Sequence, residues 1–247
     1  TDSTATFISD GVAVGSIVIN DTQAAHGYVE SITSQTELVV SAMHDLEVSA
    51  IGDSYRVVAN GSTGASVIRL DFLLDANYVE HTEYMILNGL TKVDTVGTYL
   101  RCSRGKTLLA GTAGSNQGTV TVAQKVTTAN ILNVLPLGSN ATYVAAYTVP
   151  AGKTAYISEL QFTLNRGAIG TTAEVDFLVR EKGGAFVSSY PHGVSANGGE
   201  TRTNGKYFLT VHEKGDVKAR VITVSANNTG VSASFAVILI DNLGSTI

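Results

Sequence analysis

Apolar and polar residues alternate with a period of two through most of the chain, in short runs set off by glycine, asparagine and serine. A period of two places successive side chains on opposite faces of an extended strand. The pattern predicts strands at Ile17–Asn20, Gly27–Ile32, Glu37–Ser41, Ser54–Val58, Val67–Leu74, Glu83–Leu87 and Thr119–Ala123. Thr98–Cys102 and Lys106–Ala110 read as a strand pair. Longer strands follow in the last hundred residues: Lys153–Asn165, Thr172–Glu181, Gly205–Val211, Val217–Ala226 and Val231–Asp241. In the first of these, Tyr156, Ser158, Leu160, Phe162 and Leu164 fall on one face. Val126–Leu135 reads either as one short helix or as an irregular crossing. Ala141–Val149 leads into a tight turn at Pro150-Ala151-Gly152-Lys153. Gly183-Gly184 joins a hairpin, and Ser188–Thr203, polar and rich in Gly and Asn, reads as an exposed loop.

The expected fold class is therefore all-β, with a small N-terminal β-barrel-like module followed by an antiparallel, jelly-roll-like β-sandwich. The expected domains are 1–59 and 60–247, with a subdivision near 126–140. Asn60-Gly61-Ser62-Thr63-Gly64 marks the boundary, since it has turn residues and no apolar anchor.

Composition narrows the function. Only 15% of the residues are charged, against about 25% in ordinary globular proteins. Thr, Ser, Asn, Gly and Ala must then cover the surface, which suits packing against other proteins. Sixteen basic residues against 21 acidic ones leave a net charge of −5. Such a chain lacks the cationic field that displaces counterions from a phosphate backbone, so direct nucleic-acid binding is not expected. No apolar run reaches the length that crosses a bilayer, and membrane insertion is not expected. The chain opens on Thr1, which is consistent with a leader or N-terminal segment ahead of it. Cys102 is the single cysteine; it forms no internal disulfide and reads as a small buried hydrophobe.

Candidate chemistry is sparse. His26, His44, His81, His192 and His212 lie far apart, and none sits in a metal-binding spacing. His81 and Glu83 share a strand face, as do Asp71 with Asp75 and Glu174 with Asp176, but each pair reads as a solvated edge. No serine lies in a nucleophile elbow, and Cys102 has no histidine nearby. The glycines of Gly11–Gly15 lead into a strand rather than a helix, which excludes a phosphate loop. Asn20, Asn60, Asn140 and Asn227 open glycosylation triplets. No catalytic, cofactor-binding or metal residue is assigned. Phe186, Tyr190 and Tyr207 are the aromatic residues that a carbohydrate-binding face would draw on.

The run Ala5-Thr6-Phe7-Ile8-Ser9-Asp10-Gly11-Val12-Ala13-Val14-Gly15-Ser16-Ile17-Val18-Ile19-Asn20, with Gly27–Ile32 and Thr36–Ser41, resembles a small β module of tailed-phage virion proteins. Ser16 stands where that module usually carries aspartate. Tyr147–Ile157 resembles an edge found in phage capsid-decoration and tail-associated β-sandwiches, and 226–242 fits the same type. The resemblance implies a virion structural component and fixes no station on the particle; the leading expectation is a non-enzymatic protein on the outer surface of the phage head. As a decoration or cement protein it would bridge subunits of the major capsid protein and self-associate, with a trimer matching the shell's three-fold positions. The 1–59 module and the 188–203 segment are the expected contact regions. A tail, adaptor or fibre component is the alternative, and a carbohydrate-binding module a further one.

Overall fold

The computed structural model describes residues 4–41, 52–59, 61, 63–166, 168–196 and 200–242. His44, Asn60, Ser62 and the 197–199 part of the expected loop lie outside the described residues, as does the side chain of Tyr207. The strands in chain order are β1 (Ile17–Asn20), β2 (Ala25–Ser34), β3 (Glu37–Val40), β4 (Tyr55–Val58), β5 (Ala65–Leu74) and β6 (Glu80–Ile86). There follow β7 (Arg101–Ala110), β8 (Val120–Ala123), β9 (Ile131–Leu135), β10 (Ala141–Tyr143), β11 (Ala146–Thr148) and β12 (Lys153–Arg166). The last are β13 (Thr172–Arg180), β14 (Val187–Ser195), β15 (Glu200–Val211), β16 (Asp216–Val224) and β17 (Gly230–Asp241).

The chain forms two compact units. The first comprises Thr1–Leu73 and His81–Tyr143, and the second comprises Leu74–Glu80 and Val144–Ile247. The first holds an open sheet β3-β2-β1-β4, most of the sheet β10-β7-β5-β6, and the ribbon β8-β9. The second holds the sheets β11-β16-β13-β14 and β15-β12-β17.

The barrel and the jelly-roll sandwich are both corrected. The N-terminal sheet is open: β3 and β4 are its two edges and do not pair with each other. Closure requires first and last strands to meet at a shared tilt and stagger. Edge strands of four residues each are too short to wrap round. Among the described residues beyond 60, the strands divide among four separate antiparallel sheets rather than the two of a jelly roll, and none curls closed. Neighbours in sequence, such as β8 with β9 and β13 with β14, pair directly as hairpins.

Several local differences have identifiable causes. Thr98–Cys102 and Lys106–Ala110 belong not to a pair but largely to one continuous strand, β7. Gly105 sits inside it as a packing residue: a Cβ there would lie 2.8 Å from Leu135 Cδ1. The 126–135 stretch contains no helix; it ends in β9, which pairs antiparallel with β8. The expected loop 188–203 holds most of β14 and the start of β15. Its polarity reflects β14's place at the edge of a sheet, where few side chains are covered. The face assignment in β12 also changes midway. Ala155 and Ile157 point into the core, and so do Leu160, Phe162 and Leu164. A bulge between Ile157 and Glu159 resets the parity. One extra residue exchanges inward and outward positions, which alternation alone cannot show. The Pro150–Lys153 turn forms, with Gly152 at φ 73° and the Lys153 N–H donating to the Pro150 carbonyl at 3.4 Å. Pro150 is thus the first corner of the turn rather than its first central residue.

Each unit has its own apolar core. In the second, Ile157, Leu160 and Phe162 of β12 meet Val175 and Phe177 of β13. Phe177 packs edge-on against Phe235 of β17, with ring centroids 5.2 Å apart. In the first, Ile17 and Ile19 of β1 pack with Val67, Tyr84 and Leu109. Ile68, Leu70, Leu73, Met85, Cys102 and Leu135 form a neighbouring cluster.

Candidate functional site

The polar residues that chemistry would need are engaged in holding the strands. On β6, Glu83 accepts hydrogen bonds from the N–H groups of Val96 at 2.9 Å and Gly97 at 2.8 Å, and from the Tyr99 hydroxyl at 2.5 Å. His81 lies against the Tyr99 ring, with centroids 5.7 Å apart. Glu83 therefore organises the loop between β6 and β7. Among the described residues, no three His, Cys, Asp or Glu side chains converge as metal ligands.

The carboxylate pairs are likewise divided between separate duties. Asp71 is buried, pairs with Arg69 Nε at 2.5 Å and accepts from the Thr82 hydroxyl at 3.3 Å. Asp75 accepts from the N–H groups of Asn77 and Val79 at 2.8 and 2.9 Å, closing the β5–β6 turn. On β13, Glu174 accepts from Thr223 of β16 at 3.3 Å. Asp176, 2% exposed, accepts from Ser188 of β14 at 2.8 Å and lies 3.6 Å from Arg220 of β16. It joins three neighbouring strands. Each of these carboxylates is held by partners on its own or neighbouring strands or turn, and a glycosidase would need two of them poised across a bound sugar.

Cys102 is buried, and burial pushes its thiol up to about 11. Its backbone carbonyl accepts from Asn133 Nδ2 at 3.3 Å. A thiol this hard to ionise is a poor nucleophile at neutral pH. His26 is buried, with Nδ1 3.1 Å from the Tyr84 hydroxyl. Of the glycosylation triplets, Asn20 is buried and donates to Asp53 at 2.7 Å, so it offers no free amide. The Asn140 side chain is tied to Gly114 and Asn116.

Of the aromatic candidates, Phe186 and Tyr190 are described, and each is engaged with other side chains. Phe186 has Arg180 and Lys218 over its ring, at 4.5 and 3.9 Å. These cations occupy the π-face that a sugar would need. Tyr190 stacks on His192 at 5.8 Å, which in turn stacks on Phe162 at 6.4 Å.

One coupled pair lies in the second unit. The Tyr147 hydroxyl donates to Glu80 Oε1 at 2.8 Å. Burial raises the Glu80 pKa, partly opposed by that bond and by Lys153, and it raises the Tyr147 pKa as well. A carboxyl with a raised pKa in the folded state contributes stability that is complete at low pH and is lost as pH rises through the folded value. Glu80→Gln keeps an oxygen for Tyr147 and removes the desolvated charge. Urea midpoints taken from about pH 4 to 8 should show the variant gaining on the parent toward neutral pH. A variant that loses ground there would contradict the assigned cause.

What remains for function is surface, and here the structure exposes residues that strand patterning passed over. In the first unit, Leu90, Val96 and Val126 are fully exposed and Val93 is partly so. They lie on the loops after β6 and after β8, which the Lys125–Asp94 ion pair ties together at 2.5 Å. Exposed large aliphatic side chains on two loops that approach each other at Lys125 and Asp94 are the candidate contact residues of this unit. A signal did exist in the sequence, because these four residues belong to no alternating run.

No family model, no curated protein and no solved structure matches the chain. Among the described residues, no helix is long and apolar enough to cross a membrane.

Proposed function

We propose that this chain is a non-enzymatic structural protein of a tailed-phage virion, acting as a decoration protein on the outer surface of the head. In this reading it bridges subunits of the major capsid protein by surface burial. The virion setting rests on the likeness of 5–20, 27–32, 36–41, 147–157 and 226–242 to phage β modules. The observation that carries the mode of action is the pair of ion-pair-linked loops bearing Leu90, Val93, Val96 and Val126. Residues 1–59 remain a candidate contact region, but Ile17 and Ile19 share a core with Val67, Tyr84 and Leu109. Deleting 1–59 would cut through that core, so substitutions test contact more cleanly.

Cryo-electron microscopy of intact particles tests the reading. Density for the chain on the icosahedral shell supports it, density on the tail replaces cementing with an adaptor or fibre role, and absence from particles removes it. A binding measurement tests the surface. Burying one aliphatic side chain contributes about 1.5–3 kcal/mol, so Leu90→Asp with Val126→Asp should weaken binding to capsids by about 100-fold or more. Because both residues are fully exposed, the fold should be retained. Unchanged affinity would rule these loops out as the contact.

A further inference from the structure

Among the described residues, the two sheets of the second unit end in four edge strands, β11, β14, β15 and β17. Proteins protect sheet edges by shortness, charge, proline or bulges, because open N–H and C=O groups invite another strand. β11 is three residues long. β14 contains Pro191 and a bulge between Tyr190 and Ser188. β15 carries Glu200, Arg202 and Lys206 in its sequence. β17 has none of these devices. Its twelve residues, GVSASFAVILID, contain no proline and no charge before the final Asp241. Both bulges of the β12–β17 ladder fall on β12, so β17 runs uninterrupted.

The flank beside β17 is also incompletely covered. Val231, Ala233, Phe235, Val237 and Leu239 face the core yet stay partly exposed. Ile238 and Ile240 are exposed on the opposite face. In the facing sheet, Arg220–Val224 of β16 are all exposed, extending past the short β11. Val221 among them is 45% exposed.

We propose that β17 is a self-association edge, which pairs antiparallel with β17 of a second copy about a two-fold axis. The joined sheet would run β15-β12-β17-β17-β12-β15. The occupant follows from the charge pattern. Charges on an edge help select and orient a different partner, whereas this edge has one charge, at its end, and Lys153 of the same sheet pairs with it at 2.5 Å. It is compatible with itself: centring the axis on Phe235 keeps core-facing residues on one side of the joined sheet. Val237 then lies opposite Ala233, Leu239 opposite Val231, Ile238 opposite Ser232, and Asp241 opposite the uncharged Thr229. Val237 and Ile238 meet the small Ala233 and Ser232, Phe235 meets its own copy on the axis, and no like charges meet. The ladder would extend about 40 Å. The inference does not rest on the virion reading, since it concerns the free protein.

Sedimentation of the full chain tests it, with the expected species at twice the 25.7-kDa mass. Ser234→Lys places an exposed cation on the edge, and in the dimer the two lysines become diagonal neighbours on one face. Dissociation should become easier by at least about tenfold. Val187→Lys, on exposed β14, should leave the mass unchanged. Amide exchange on the unmodified chain gives a second readout that needs no variant. Pairing protects every β17 amide, while a free edge protects only the alternate ones bonded to β12. A monomer at all concentrations, an oligomer indifferent to Ser234→Lys, or alternate protection along β17 would each overturn the proposal.

Discussion

Phe177→Ala should lower the unfolding free energy by about 3–5 kcal/mol, the usual cost of emptying a buried aromatic site. Phe177 is 0% exposed, in the middle of β13. Its ring meets Phe235 edge-on at 5.2 Å and sits in the cluster that Ile157, Leu160 and Phe162 of β12 also enter. The change removes an anchor shared by both sheets of the second unit. Hydrogen-bonded strands cannot move inward to fill the space without breaking register, so little of the cavity can close. Phe177→Leu keeps most of the volume and should cost appreciably less. Equilibrium urea unfolding measures both. A loss under about 1 kcal/mol for the alanine variant would mean that Phe177 does not hold the two sheets together.

The second large effect is expected at Asp216. This carboxylate begins β16 and joins its neighbours on both sides. It accepts from the Thr148 hydroxyl of β11 at 2.5 Å, and it pairs with the Arg180 guanidinium of β13, whose Nε lies at 2.8 Å. Asp216→Ala leaves two donors without their acceptor. Breaking a fully buried ion pair costs about 3–5 kcal/mol. Here about 2–3 kcal/mol is expected, because the Arg180 side chain is 31% exposed and can turn toward water. Arg180 also lies over the Phe186 ring at 4.5 Å, which limits that escape. Asp216→Asn keeps an acceptor for Thr148 and should fall between the two. If alanine and asparagine prove equally mild, the pair is a surface contact rather than a clamp across three strands.

Most strands were legible from alternation. Ile17–Asn20 is β1 as read, and Val67–Leu74 falls within β5. Local spacing is enough where one face is buried and the other solvated. The reading failed where local appearance had a distant cause. Arg104-Gly105 looks like a turn, but Gly105 is small because Leu135 of another strand presses on it. The 188–203 stretch looks like a loop, yet much of it forms strand at a sheet edge. The two faces of β12 were misassigned from the Ile157/Glu159 bulge back toward the strand's start.

The functional surface was less legible still. Glu83, Asp71, Asp176 and Cys102 have residue types that could do chemistry. Only their partners, among them the Val96 and Gly97 amides, Arg69, Ser188 and Asn133, show them committed to structure.

By itself the sequence determined the all-β class, the approximate place of most strands and a surface poor in charge, because each depends on residue type and near spacing. The tertiary structure alone decided that the sheets stay open, which edges are protected and which apolar residues reach water. Those outcomes depend on strand order and register, set by pairing between residues far apart in the chain: β12 meets β17 through Lys153 opposite Asp241. No local pattern records which distant strand will take that place.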